Sequence, residues 1–386
     1  MRLDPTSPPQ WTAALFIAAA SILLLYNTLP VGLAYPRAGT CALLLFSLFA
    51  LPFWWLRRRL AEHLSVPGAA LAVVAVWGAT VAVMTSLYGS NAVRGLLATA
   101  GGPAWAGQWS PVLGAPVVEE VVKAAGVVLG VAIVWDRVRG VLDGVVLGAF
   151  CGVGFQIVEG YAFAMSSTVL NRAGDVVEPV VAVFVVRGVL AGLWSHAVFT
   201  AIVGAGIAYA ATRKTRRSGW VAAASLVGVI ALHALWNSPL GRDGFGLGAV
   251  GVLAAVAAKG LPAVLIVVWI IRWAKRNEAP AAALSGAAEG FADEERGRPQ
   301  AALRSGENET VPPRSERAVP RRHRRCPVAS VAQGVRSHPD PLSGGRSAVD
   351  ATVIGASRVV VFLASRTGAD QVGRRFGSGT GGEHGQ

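Results

Sequence analysis

The chain has 386 residues, 53% of them apolar and only 15% charged, with a formal net charge of +13. With a mean hydropathy of +0.50, that composition excludes an ordinary soluble domain and points to an all-α, polytopic membrane helix bundle. Cys41 and Cys151 fall inside apolar stretches and Cys326 in the tail, so no paired spacing exists for a disulfide framework or a thiolate metal site.

In chain order, apolar stretches run near 11–29, 38–56, 69–88, 112–135, 141–165, 183–211, 219–238 and 248–271. Each is long enough, at ~1.5 Å per residue, to cross a hydrocarbon core of ~30 Å, so about eight transmembrane helices are expected. The first lacks a small-residue cleavage pattern and reads as a retained helix rather than a signal peptide. Basic residues set the orientation. Arg57–Arg59, Arg137 with Arg139, Arg213 to Arg217, and Arg272 to Arg276 follow the even-numbered spans, whereas the opposite loops hold only Arg37, Arg94, Arg172 and Arg242. Both termini are therefore expected in the cytoplasm, in a multi-pass protein of a prokaryotic plasma membrane. Most of the net charge lies in these loops, so it marks membrane topology and lipid contact and does not call for a nucleic-acid partner. Residues 1–110 read as helices one to three with an outer loop, 111–240 as a polar core of helices four to seven, and 241–276 as the last helix. Residues 277–386, with their Arg321, Arg322, Arg324 and Arg325 cluster and an apolar island at 353–364, read as a disordered basic cytoplasmic tail.

An ionisable residue near the bilayer centre costs roughly 2.5–3.5 kcal/mol unless it is paired or faces a polar cavity. Span four carries Glu119, Glu120 and Lys123; span five Glu159; span six Arg187 and His196; span seven His233 and Asn237; span eight Lys259. Asp143 reads as interfacial beside Arg139, and Arg187 and Lys259 as side chains that snorkel to the interface. Counted along the alternating helices, Glu119, Glu120, Glu159 and His233 lie ~8–12 Å below the outer surface, and His196 ~14 Å in from Arg187. Four helices thus bring polar groups to one level.

Glu119 and Lys123 are i,i+4 and Glu120 and Lys123 i,i+3, so one ammonium can hold one carboxylate while the other serves as a base. His233 and Asn237 share a helix face. Gly140, Gly144, Gly148 and Gly152 form a stripe suited to close helix packing. Carboxylates, two histidines and an amide are a peptidase inventory: a glutamate to activate water, a donor for the oxyanion, and ligands for zinc. His196 and His233 with Glu159 would make a three-ligand zinc site with an open fourth position. A metal-free alternative has Glu119 and Glu159 activate water directly. The same Glu/His set would also serve a proton-coupled transporter, but no inverted repeat is visible.

"EEVVK" at Glu119–Lys123, "FQIVEGYAF" at Phe155–Phe163, "SHAVFTAIVGAGIAYA" at Ser195–Ala210 and "HALWN" at His233–Asn237 resemble, in order and spacing, the motifs of PrsW-type intramembrane proteases, in the CAAX-protease and bacteriocin-processing superfamily. The resemblance implies that Glu119 activates water with Glu120 and Lys123 beside it, that Glu159 fills the second motif and His196 the third, and that His233 and Asn237 bind or stabilise the oxyanion. It also implies membrane-anchored substrates such as anti-sigma factors, cut near the extracytoplasmic face. The second motif of these enzymes usually reads Glu-Asn; here Gly160 follows Glu159.

Overall fold

The computed structural model describes residues 6–172 and 174–278, and among these the regular elements are all helical. The tail expected to be disordered, with Cys326 and its arginine cluster, lies outside the described residues from 279 onward. The helices are α1 (Pro8–Ala34), α2 (Pro36–Ser47), α3 (Ala50–Arg59), α4 (Gly68–Trp77), α5 (Val83–Gly101), α6 (Pro103–Leu113), α7 (Ala115–Ile133), α8 (Val141–Asn171), α9 (Glu178–Val183), α10 (His196–Arg213), α11 (Arg216–Asn237) and α12 (Gly248–Asn277). Among the described residues, six stretches are long and apolar enough to cross a membrane: Pro8–Ala34, Pro36–Arg59, Gly68–Gly101, Val141–Asn171, Arg216–Asn237 and Gly248–Asn277. The protein is thus a multi-pass helical membrane protein. The other two expected spans correspond to α7, which carries three ionisable residues in one turn, and to α10, which is only 18 residues long.

Where the expected spans differ, the backbone gives the reason. The third span is longer than 69–88 because α4 continues through a π-helical turn, Gly78–Ala82, into α5. The sixth, expected to be continuous over 183–211, is broken. α9 runs into π-helical turns at Phe184–Leu190, a 3₁₀ turn follows at Gly192–Trp194, and Ser195 departs from helical geometry before α10 starts. Irregular backbone at membrane depth needs partners from the protein, and Gly192 O receives hydrogen bonds from Gln156 Nε2 at 2.9 Å and Ser195 Oγ at 3.3 Å.

α8 is the axis of the bundle. Its glycine stripe packs as expected: a Cβ at Gly144, Gly148 or Gly152 would run into the backbone carbonyls of Gly204, Thr200 and His196 of α10. Lipid supplies no hydrophobic force between helices, so such close backbone approach is what holds two of them together. It also fixes the first turn of α10, and hence His196, against the middle of α8. Elsewhere Trp77 fills the notch at Gly126 and donates Nε1–H to Val122 O at 3.1 Å, tying α4 to α7.

Two acidic residues secure the start of α8. Asp143, expected beside Arg139, is buried and accepts backbone N–H groups from Ser65 (2.7 Å), Val66 (3.2 Å) and Arg139 (2.9 Å). Glu278, just past α12, accepts from Val141 N at 2.9 and 3.1 Å. Glu278 satisfies a donor that the N-terminus of α8 leaves unpaired, while Asp143 ties the chain entering α8 to the segment before α4. α11 begins with a capping box in which Thr215 and Ser218 exchange side-chain to backbone hydrogen bonds.

Candidate active site

Helix α7 enters the bundle after Gly114 with Pro116 in its first turn, and its buried face presents Glu119, Glu120 and Lys123. Lys123 selects one carboxylate: its Nζ lies 2.6 Å from Glu120 Oε1, with both side chains fully buried. The ammonium also sits 4.6 Å from the centre of the Phe155 ring. Glu119, one residue earlier and 1% exposed, faces the two histidines instead.

The two imidazoles lie edge to face, with ring centres 5.2 Å apart. Their neighbours determine which nitrogen carries the proton. His196 Nε2 is 2.9 Å from Glu159 Oε2, a hydrogen-bond acceptor, and Nδ1 is 3.1 Å from the Lys123 ammonium, which can only donate. The proton therefore sits on Nε2 and the lone pair on Nδ1. His233 Nδ1 is 2.8 Å from Glu120 Oε1, so its proton is on Nδ1 and its lone pair on Nε2. Both lone-pair nitrogens face the same atom: Glu119 Oε2 is 4.0 Å from His196 Nδ1 and 3.8 Å from His233 Nε2.

Among the described residues, Glu119, His196 and His233 form a buried group whose ligand atoms all lie within 4.8 Å of one another. Ligands on a tetrahedral zinc with bonds of ~2.0–2.1 Å stand about 3.3–3.4 Å apart, so a small inward shift of three side chains, with the Lys123 ammonium withdrawn from His196 Nδ1, would enclose such an ion. Two imidazoles and a carboxylate suit zinc, and each imidazole has a carboxylate behind it to hold its orientation, the usual arrangement around metal-bound histidines. The carboxylate brought to the lone pairs is Glu119. Glu159, expected as the third ligand, lies at the other nitrogen of His196.

Glu159 has a cation that the local sequence does not reveal. Arg187, expected to snorkel to the interface, turns inward. It donates to Glu159 Oε2 at 2.9 Å, and its guanidinium covers the Phe163 ring at 3.6 Å. Gly160 lines the same cavity as this pair, but the ring of Phe46 lies where its Cβ would be. An asparagine at 160 thus has no room, and Arg187 with His196 orients the carboxylate in its place. Glu159, Arg187 and His196 line a small, partly enclosed cleft of about 40 Å³ with Gln156, Ser195, Trp236 and Phe46.

Asn237 does not reach the carboxylates. Its Nδ2 donates to Pro111 O at 2.8 Å and ties the end of α11 to the end of α6, immediately before α7. Lys259, the other residue expected to snorkel, donates to Ser238 O at 2.8 Å. Sequence reasoning left Gln156 and Arg187 out of the site. The first lies within the second motif, one turn before Glu159, while the second gave no signal beyond being a charge inside an apolar stretch.

A bundle of apolar helices enclosing carboxylates and histidines that could hold a metal fits the class of membrane-embedded hydrolases. A family model described as PrsW family intramembrane metalloprotease matches residues 66–270, more than half of the chain and all of the site. The chain belongs to this family and is an intramembrane metalloprotease; the transporter reading is not favoured. No curated protein and no solved structure matches it.

Proposed function

We propose that this protein is a zinc-dependent endopeptidase that cuts membrane-anchored proteins, anti-sigma factors among them, near the extracytoplasmic face of a plasma membrane. In this reading α7 and α10 complete eight crossings with both termini in the cytoplasm, residues 111–240 are the catalytic core, and the chain falls within the wider CAAX-protease superfamily. One observation carries the proposal: carboxylates fix both histidine tautomers so that the unprotonated nitrogens lie beside Glu119 inside a buried, helix-walled site, His196 Nδ1 also accepting from Lys123.

The residues that would hold the metal are His196, His233 and Glu119, through Nδ1, Nε2 and Oε2. A divalent ion held there supplies Lewis acidity and brings the pKa of water to ~7. The remaining steps belong to the chain. Glu119, holding the metal through Oε2, would take the proton of the attacking water on its other oxygen and pass it to the leaving amine. Glu120 holds His233, Glu159 holds His196, and Lys123 releases His196 Nδ1 to the metal while keeping Glu120 as its partner. Asn237 contributes by setting the end of α11 against Pro111, which places His233 one helical turn away. The cleft beside Glu159 receives the substrate, whose own helix must unwind locally to expose a peptide carbonyl. The irregular backbone at 184–195 borders that opening, as non-helical backbone in a membrane must border a cavity or protein.

The test is elemental analysis of purified, active protein alongside substrate trapping with Glu119→Gln. We expect one zinc per chain, loss of cleavage with a membrane-permeant chelator, recovery on adding zinc, and uncut membrane proteins accumulating on the variant. Full activity with substoichiometric metal would remove the zinc from this account. Proton-dependent solute uptake by reconstituted protein, without proteolysis, would overturn it entirely. Reporters fused in the turn at Gly174 and after Arg217 should report outside and cytoplasm respectively; the reverse result would put the site in the wrong leaflet.

A further inference from the structure

We infer that Arg187 is a positioning residue for the metal centre, acting on His196 through Glu159; this rests on the metalloprotease reading above. Three observations converge on it. The first is geometric: a single oxygen, Glu159 Oε2, accepts from Arg187 at 2.9 Å and lies 2.9 Å from His196 Nε2. The guanidinium, the carboxylate and the imidazole thus form one continuous chain of contacts that ends on Nε2 of His196, the ring nitrogen away from Glu119. The second is that α8 builds a seat for this arginine. Glu159 and Phe163, one turn apart, meet its charge and the face of its guanidinium, so its orientation is fixed from two sides. The third is the backbone that carries it. Arg187 lies in the π-helical turns Phe184–Leu190, and insertions of this kind in a helix are frequent at functional sites.

The two histidines are then supported in parallel ways. His233 is backed by Glu120 and Lys123, which come from a single turn of α7. His196 is backed by Glu159 and Arg187, which come from two different segments 28 residues apart. The Lys123 arm is sealed, with its side chain 0% exposed, whereas the Arg187 side chain is 32% exposed on the cleft. The arm that holds His196 is therefore the one a substrate meets on entry.

Co²⁺ titration of the purified full-length protein in lipid nanodiscs, read by the cobalt absorption bands, tests the inference without a substrate. Loss of a group behind a metal-bound histidine usually costs ~10–100-fold in metal affinity. We expect Arg187→Gln to weaken Co²⁺ binding by about that factor, and Arg187→Lys to weaken it less because it keeps one charged donor. Glu159→Gln should weaken it comparably, and the Arg187→Gln/Glu159→Gln double variant should bind no more weakly than Glu159→Gln alone. Wild-type affinity in Arg187→Gln would overturn the inference. So would an undiminished Arg187→Gln effect in the Glu159→Gln background, since the arginine would then act only through its packing on Phe163. If the wild-type protein takes up no Co²⁺ at all, the metalloprotease geometry itself fails, and this inference fails with it. Arg187→Lys keeps the test decisive if the glutamine variant does not fold.

Discussion

Helices α1 and α8 are both long and apolar enough to cross a membrane, yet they serve opposite purposes. Of the most apolar 18-residue window in each, 6% is buried within α1 and 83% within α8. Along α1, Leu15, Ile22 and Leu33 lie exposed, on surface suited to lipid. Along α8, glycines admit the backbone of α10 on one face and Glu159 reaches the site on another. Apolarity brings a helix into the membrane, whereas small residues and buried polar groups decide whether it ends up at the rim or in the core.

The comparison can be broken most severely at the site. Glu119→Ala and His233→Ala should each lower cleavage of a membrane substrate by ~10³-fold or more while inserted protein stays near wild-type level. Loss of the protein in place of its activity, seen by quantitative blotting of membranes, would mean that these groups hold the bundle together. Glu120→Ala should differ from both. It strands Lys123 as a buried unpaired cation, a change that costs about 3–5 kcal/mol, so folded protein itself should fall; a normally stable, inactive variant would contradict the pairing.

Next in size is the packing test. Gly148→Leu drives a side chain into the Thr200 carbonyl and should destabilise the bundle by about 3 kcal/mol, while Ala18→Leu, on an exposed part of α1, should stay within ±0.5 kcal/mol. Thermal unfolding in detergent compares the two, and equal shifts would erase the distinction between core and rim. Gly160→Asn, which restores the usual second-motif pair, should cost ~1–3 kcal/mol through its clash with Phe46. Pairing it with Phe46→Ala should recover part of that loss, whereas a gain in activity from Gly160→Asn alone would show that Arg187 is a poor substitute for the missing amide.

The smallest effect concerns the end of α12. Truncation after Glu278 should leave stability and activity intact. Truncation one residue earlier, after Asn277, should cost about 1 kcal/mol by removing the carboxylate that caps α8 at Val141. Equal melting temperatures for the two truncations would show that this cap contributes nothing.

By itself, the sequence determined that the chain is a helical membrane protein, which polar residues share a depth, and to which protease family the motifs point, because hydropathy, helical spacing and motif order are local properties. The i,i+3 pairing of Glu120 with Lys123 could be read for the same reason, and the glycine stripe announced its close helix contact. Only the tertiary structure decided that Glu119 faces both lone-pair nitrogens while Glu159 backs His196, because a ring nitrogen's partner depends on rotation about bonds that sequence spacing does not constrain. It alone turned Arg187 inward onto a carboxylate 28 residues away, broke the sixth span at Ser195, and set Asn237 on Pro111. Each of these depends on a partner from a distant segment. In a low-dielectric bundle a buried charge or an unpaired backbone group takes whichever partner the packing brings within ~3 Å, and packing is a property of the whole fold.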